Sequence, residues 1–197
     1  VENASNSDDS QVMMQALEQL KSDNQDVLHI DVHHAGTAMR FLTAFFAIQE
    51  GMEVVITGSS RMQERPIHIL VEALNQMGAN ISYEKNPGFP PLRIQGKKLT
   101  KHKVTLPANV SSQYISALLL VASKLENGLE LTLEGEITSI PYIKMTLALL
   151  NDLNIQTSFE GNVITVAPKP AVENKEMVVE SDWSSASYYF SIAALAD

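Results

Sequence analysis

Four short polar clusters carry the residue types that could do chemistry. Ser111, Ser112 and Gln113 stand side by side at the mouth of an apolar run, in P-A-N-V-S-S-Q-Y-I-S-A-L-L-L. Serine before such a run ordinarily caps a helix. Two hydroxyls with free N–H groups at a helix start also make a cradle for phosphate, and both uses stay open at this point. A second cluster, S-S-R-M-Q-E-R-P, sets Arg61 and Arg65 four residues apart just before another helical run. The guanidinium fork fits carboxylate and phosphate oxygens. The plain alternative is a solvated loop in which Glu64 neutralises one arginine. The third, H-A-G-T-A-M-R from His34 to Arg40, combines a glycine that lets backbone approach a ligand with a helix N-terminus that favours an anion; its plain alternative is a turn with Thr37 as the cap. The fourth, T-S-I-P-Y, holds Ser139, a cap candidate, and Tyr142, which could equally be core.

Composition narrows the ligand class. The 197 residues carry 14 Lys and Arg against 23 Asp and Glu, a net charge of -9. That sign disfavours nucleic acid or an anionic membrane as partner, while a few arginines in one cleft can still bind a small anion. There are no cysteines, so disulfides, thiolate catalysis and cysteine metal sites are excluded. His33, His34 and His68 lack any metal-ligand spacing, and no metal or cofactor is expected. The first residues read as no signal peptide, and the apolar runs are too short to cross a bilayer. A cytoplasmic, monomeric protein with small-molecule partners is the resulting expectation.

The elements that must position these clusters repeat. A helical run over Thr37–Gln49, Gly51, a strand over Glu53–Thr57 and Gly58 are matched by a run over Ser111–Lys124, Gly128, a strand over Glu130–Glu134 and Gly135. Both glycine pairs are 77 residues apart (128 minus 51, 135 minus 58). Pro66 and Pro141 each begin a second helix, with apolar residues at Ile67, Leu70, Val71 and Leu74 and at Ile143, Leu147 and Leu150. Short strands follow each: 80–84 and 92–95, then 156–160 and 163–167. Fixed-period similarity of this kind means stacked supersecondary units sharing a core, and the unit reads βαβαββ. A segment from Asp9 resembles a second helix without its first half-unit, and Ser184 begins an echo of the Ser111 helix. The clusters therefore occupy equivalent junctions and could face one cleft.

Together, H-A-G-T-A-M-R, E-R-P-I-H-I-L-V-E-A-L, V-S-S-Q-Y-I-S-A-L-L, I-P-Y-I-K-M-T-L-A-L and V-E-S-D-W-S-S-A-S-Y-Y-F resemble, in order, the 5-enolpyruvylshikimate-3-phosphate synthase family. The resemblance implies an α/β fold of two domains, each of three βαβαββ units about a pseudo-threefold axis. Residues 1–175 would be most of the N-terminal-side domain, and residues 176–197 the start of a further unit of the other domain. It implies transfer of the enolpyruvyl group of phosphoenolpyruvate to the 5-hydroxyl of shikimate 3-phosphate, with release of phosphate, through a tetrahedral intermediate. Matched motifs place Ser111, Ser112, Gln113, Ser139, Tyr142 and Thr37 on shikimate 3-phosphate, and Gly36, Arg65, Gln113 and Arg40 on phosphoenolpyruvate.

The sequence departs from the family's pattern at three positions. His34 stands for the usual asparagine, Phe41 for the proline after the arginine, and Ile140 for a lysine. The first two bear on the phosphoenolpyruvate pocket and on its response to glyphosate, the family's inhibitor. The family's N-terminal Lys-Ser and Arg motif is expected before Val1, and its acid–base groups and further cations after Asp197. By itself this chain is thus expected to bind shikimate 3-phosphate weakly without turnover. The related UDP-N-acetylglucosamine enolpyruvyl transferases usually carry a cysteine in the loop before their Arg-Pro helix, and Ser59–Pro66 has none. A non-catalytic ligand-binding domain is the remaining alternative.

Overall fold

The computed structural model describes residues 2–22, 27–180 and 182–196. Strand β1 (Leu28–Asp31) runs parallel to β2 (Glu53–Thr57), which demands a crossover, and helix α2 (Gly36–Ala47) supplies it. Helix α3 (His68–Gln76) then leads to β3 (Asn80–Tyr83) and β4 (Leu92–Gln95), and β4 pairs antiparallel with both β2 and β3. The second unit repeats the plan with β5 (Lys103–Pro107), α4 (Ser112–Ala122), β6 (Leu129–Glu134), α5 (Ile140–Asp152), β7 (Thr157–Glu160) and β8 (Val163–Val166). The sheet orders are β1-β2-β4-β3 and β5-β6-β8-β7, so the βαβαββ reading of the sequence holds for both units.

Each sheet buries one face. β5 alternates exposed and buried residues, with Val104 and Leu106 turned inward. On the open face of the first sheet, Arg93 bridges Glu53 and Glu84. The crossover helices α2 and α4 pack against each other and are buried nearly all round, as expected of helices without a polar face. Helices α3 and α5 bury only one stripe each, Leu70, Val71, Ala73 and Leu74 in α3 and Ile143, Thr146, Leu147 and Leu150 in α5. Where α4 meets α5, the Thr146 hydroxyl donates to the Tyr142 carbonyl at 3.0 Å, and Ser116 therefore donates to Thr146 at 2.8 Å. This pair puts hydroxyls in the core with their hydrogen bonds satisfied.

Helix α1 (Asp8–Ser22) packs on α2, and α6 (Trp183–Leu195) has no buried residue. Helix α3 begins later than Pro66, with Ile67 as its cap residue, and a separate 3-10 turn over Met62–Glu64 precedes the proline. One pair of glycines in register does the same backbone work in both units. Gly51 and Gly128 adopt φ of 79° and 66°, a region that favours glycine over any residue with a Cβ. Because β1 and β2 are parallel, as are β5 and β6, the starts of α2, α3, α4 and α5 all follow strand C-terminal ends. Such an edge is where open α/β sheets bind ligands.

Candidate functional site

The start of α2 is capped from outside. Its cap position is Ala35, which offers no side-chain bond. Asp9 of α1 fills the role, its Oδ1 accepting from the Ala38 N–H at 2.8 Å. A carboxylate there also meets the positive end of the helix dipole. The plain alternative of Thr37 as cap is thereby corrected, since Thr37 lies inside the first turn. Its hydroxyl instead accepts a hydrogen bond from the Gln113 side-chain amide at 3.1 Å.

That bond joins the starts of α2 and α4. Ser111 is the α4 cap, with φ -56° and ψ 130°, and its Oγ accepts from the Gln113 N–H at 3.3 Å. Ser111 is exposed, while Ser112, the first helical residue, and Gln113 are half-buried. Capping therefore occupies one serine, and the second hydroxyl stands beside it at the same helix N-terminus.

Arg65 closes the cluster from the loop before α3. A Cβ added to Gly36 would fall 2.4 Å from Arg65 Nη1, so the guanidinium rests directly on the glycine backbone. The chain continues into Pro66, whose carbonyl accepts from the Tyr114 hydroxyl at 2.7 Å and from Arg40 Nη2 at 3.3 Å. Arg40 also donates through Nη1 to the Gly36 carbonyl at 3.0 Å. Arg40 is only 4% exposed. Burial lowers its pKa, Tyr114 and Asp9 oppose the shift, and the nearby Arg65 cation adds to it.

His34, Arg61, Met62 and Arg65 line an open cleft of about 550 Å³ beside this cluster. His34 Nδ1 lies 2.9 Å from Ser59 Oγ, which in turn accepts from the Met62 N–H at 3.3 Å. Gly58 permits the closeness of the two loops, for a Cβ there would sit 2.8 Å from the His33 carbonyl oxygen. Arg61 and Arg65 form no ion pair among the described residues, so the expected alternative of a Glu64 partner is not realised. Two uncompensated cations at one cleft give it a local sign opposite to that of the whole chain. Among the described residues no group of three or more His, Cys, Asp or Glu could hold a metal ion.

Ser139 and Tyr142 occupy the matching junction at α5. Ser139 is the cap residue by position but makes no capping bond, and Pro141 follows in the first turn. Tyr142 is 53% exposed, so it is not the core residue of the plain alternative. No side-chain hydrogen bond joins either residue to the cluster among the described residues; the link is the buried Ser116–Thr146 pair one turn deeper. Gly36, Thr37, Arg40, Arg65 and Gln113 are thus in direct contact with one another through short links, Ser111 and Ser112 adjoin them, and Ser139 and Tyr142 stand apart. Of the departures noted in the sequence, His34 lines the cleft, Phe41 continues α2 where proline would lack an N–H, and Ile140 opens α5. Sequence reasoning missed Asp9 and Tyr114. The only signal for Tyr114 was its place directly after Gln113.

Comparison with known proteins places the chain in a family. The family model described as EPSP synthase (3-phosphoshikimate 1-carboxyvinyltransferase) matches residues 1–197. The chain is 51% identical over 195 residues to the 3-phosphoshikimate 1-carboxyvinyltransferase of Bacteroides fragilis, covering 98% of this chain and 46% of that one. The protein of the same name from Haemophilus influenzae is 40% identical over 181 residues, covering 87% and 40%. Among solved structures, EPSP synthase from Acinetobacter baumannii superposes with a TM-score of 0.69 at 26% identity, covering 82% of this chain and 35% of that one. The chain spans less than half the length of these relatives.

Proposed function

The chain belongs to the EPSP synthase family, and we propose that its junction cluster binds shikimate 3-phosphate and phosphoenolpyruvate for enolpyruvyl transfer. The observation that carries this reading is the Gln113–Thr37 hydrogen bond at 3.1 Å, which puts a hydroxyl-bearing helix start next to an uncompensated arginine. Ser111 and Ser112, with the first N–H groups of α4, hold the phosphate of shikimate 3-phosphate. Ser139 and Tyr142 hold its ring. Arg65 and the backbone at Gly36 hold phosphoenolpyruvate, and Gln113 reaches between the two.

The chemistry explains why both anions must be fixed. The 5-hydroxyl of shikimate 3-phosphate gives up its proton as its oxygen adds to C2 of phosphoenolpyruvate, and C3 takes a proton. The tetrahedral intermediate then loses a proton from C3 and releases phosphate, restoring the double bond. Charge builds on groups that repel each other, so preset donors and cations lower the barrier by orientation and electrostatics. The residues described here orient and neutralise. The chain spans less than half the length of its relatives, and on its own it is not expected to turn over.

Titration calorimetry of shikimate 3-phosphate tests the assignment. On the complete gene product, Ser111→Ala with Ser112→Ala is expected to weaken binding about tenfold or more, the scale of lost hydrogen bonds to a charged group. Unchanged affinity defeats the phosphate role.

A further inference from the structure

Arg40 is a cation beside an anion cleft, yet its contacts are all to the protein's own backbone and core. It is 4% exposed and ends 5.9 Å from the centre of the Tyr114 ring. Nη1 holds the Gly36 carbonyl and also lies 3.8 Å from Met62 Sδ, and Nη2 holds the Pro66 carbonyl. Its Nε is buried without a partner among the described residues, a cost that a residue kept only for its charge would not need to bear. The two carbonyls it holds are not arbitrary. Gly36 is the surface on which the Arg65 guanidinium rests, and Pro66 is the residue after Arg65. Tyr114 adds a second donor to the Pro66 carbonyl from the residue after Gln113.

We propose that Arg40 is a positioning residue, which fixes the Arg65 guanidinium by gripping the carbonyls of Gly36 and Pro66 and does not itself touch the bound anion. The planar fork sends two N–H groups to two separated carbonyls in fixed directions, a geometry that the single flexible ammonium of lysine does not reproduce, so lysine keeps the charge and loses the positioning. Tyr114 shares the task, and through it the start of α4 is tied to the loop that carries Arg65. The proposal rests on the reading of the Arg65 cleft as the phosphoenolpyruvate site.

Steady-state kinetics of the complete gene product, with phosphoenolpyruvate varied at saturating shikimate 3-phosphate, separates positioning from contact. Arg40→Lys is expected to raise KM for phosphoenolpyruvate about tenfold, since small misplacement of a binding group is costly. In an Arg65→Lys background the same change should add less than about twofold, because coupled residues are non-additive. Fully multiplying effects, or no effect of Arg40→Lys, overturn the proposal. Tyr114→Phe keeps the ring and the Arg40 charge, and is expected to raise the same KM about threefold by loss of one hydrogen bond.

A readout without turnover keeps the question separate from the activity itself. In the 15N-labelled chain, the Arg65 Nε–H resonance should shift and broaden in Arg40→Lys and Tyr114→Phe. An unaltered resonance in both refutes positioning whatever the substrate. Absence of phosphate release by the wild type, with the resonance shifted as expected, defeats the functional reading and leaves positioning intact.

Discussion

The side-chain amide of Gln113 lies 3.1 Å from the hydroxyl oxygen of Thr37, across 76 residues of sequence. This contact joins the first turns of the two buried crossover helices. Thr37→Val and Gln113→Ala, singly and together, should show a coupling of about 1 kcal/mol in denaturant unfolding, the usual net worth of one hydrogen bond. Strict additivity would mean that the two helix starts are held only by packing.

Gly36 makes a sharper case. A methyl group there would sit 2.4 Å from Arg65 Nη1, against the far end of a flexible side chain rather than against backbone. Gly36→Ala should therefore fold with little change in melting temperature while pushing the guanidinium aside. KM for phosphoenolpyruvate is expected to rise about tenfold or more, and KM for shikimate 3-phosphate far less. Equal effects on both constants would place Gly36 outside the donor pocket.

Ser111 has a structural duty that Ser112 lacks. Loss of its cap bond in Ser111→Ala should cost about 1 kcal/mol of stability, and Ser112→Ala much less. Chemical denaturation of the two single variants checks the difference. Equal losses would show that Ser111 does not act as the cap.

Equivalent glycines of the two units should differ in tolerance. Gly51 at φ 79° has open space around a would-be Cβ, whereas at Gly128 a Cβ would fall 2.1 Å from the Val166 carbonyl oxygen. Gly51→Ala should cost about 1–2 kcal/mol for the left-handed backbone alone. Gly128→Ala must also move β8 and should cost clearly more. Thermal melts of the pair decide it, and similar losses would contradict the geometry.

The repeat was legible in the sequence because its markers are local. Gly51, Gly58, Gly128 and Gly135 punctuate each unit, and β2 and β4 fall where periodicity puts them. Helix α3 starts later than Pro66 suggested because the Pro66 carbonyl is claimed by Tyr114 and Arg40, contacts made across 48 and 26 residues. Asp9 was illegible for the same reason, since a cap supplied from 29 residues away leaves no spacing to read. The cluster of Gly36, Thr37, Arg65 and Gln113 could be anticipated from motif resemblance. Burial of Arg40 could not, because an arginine is ordinarily exposed.

Phosphate release by the complete gene product most directly measures whether this cluster serves enolpyruvyl transfer to shikimate 3-phosphate. Phosphate should appear only when shikimate 3-phosphate and phosphoenolpyruvate are both present, and Gln113→Ala should slow it. Release with UDP-N-acetylglucosamine in place of shikimate 3-phosphate, or none with the expected pair, would contradict the account.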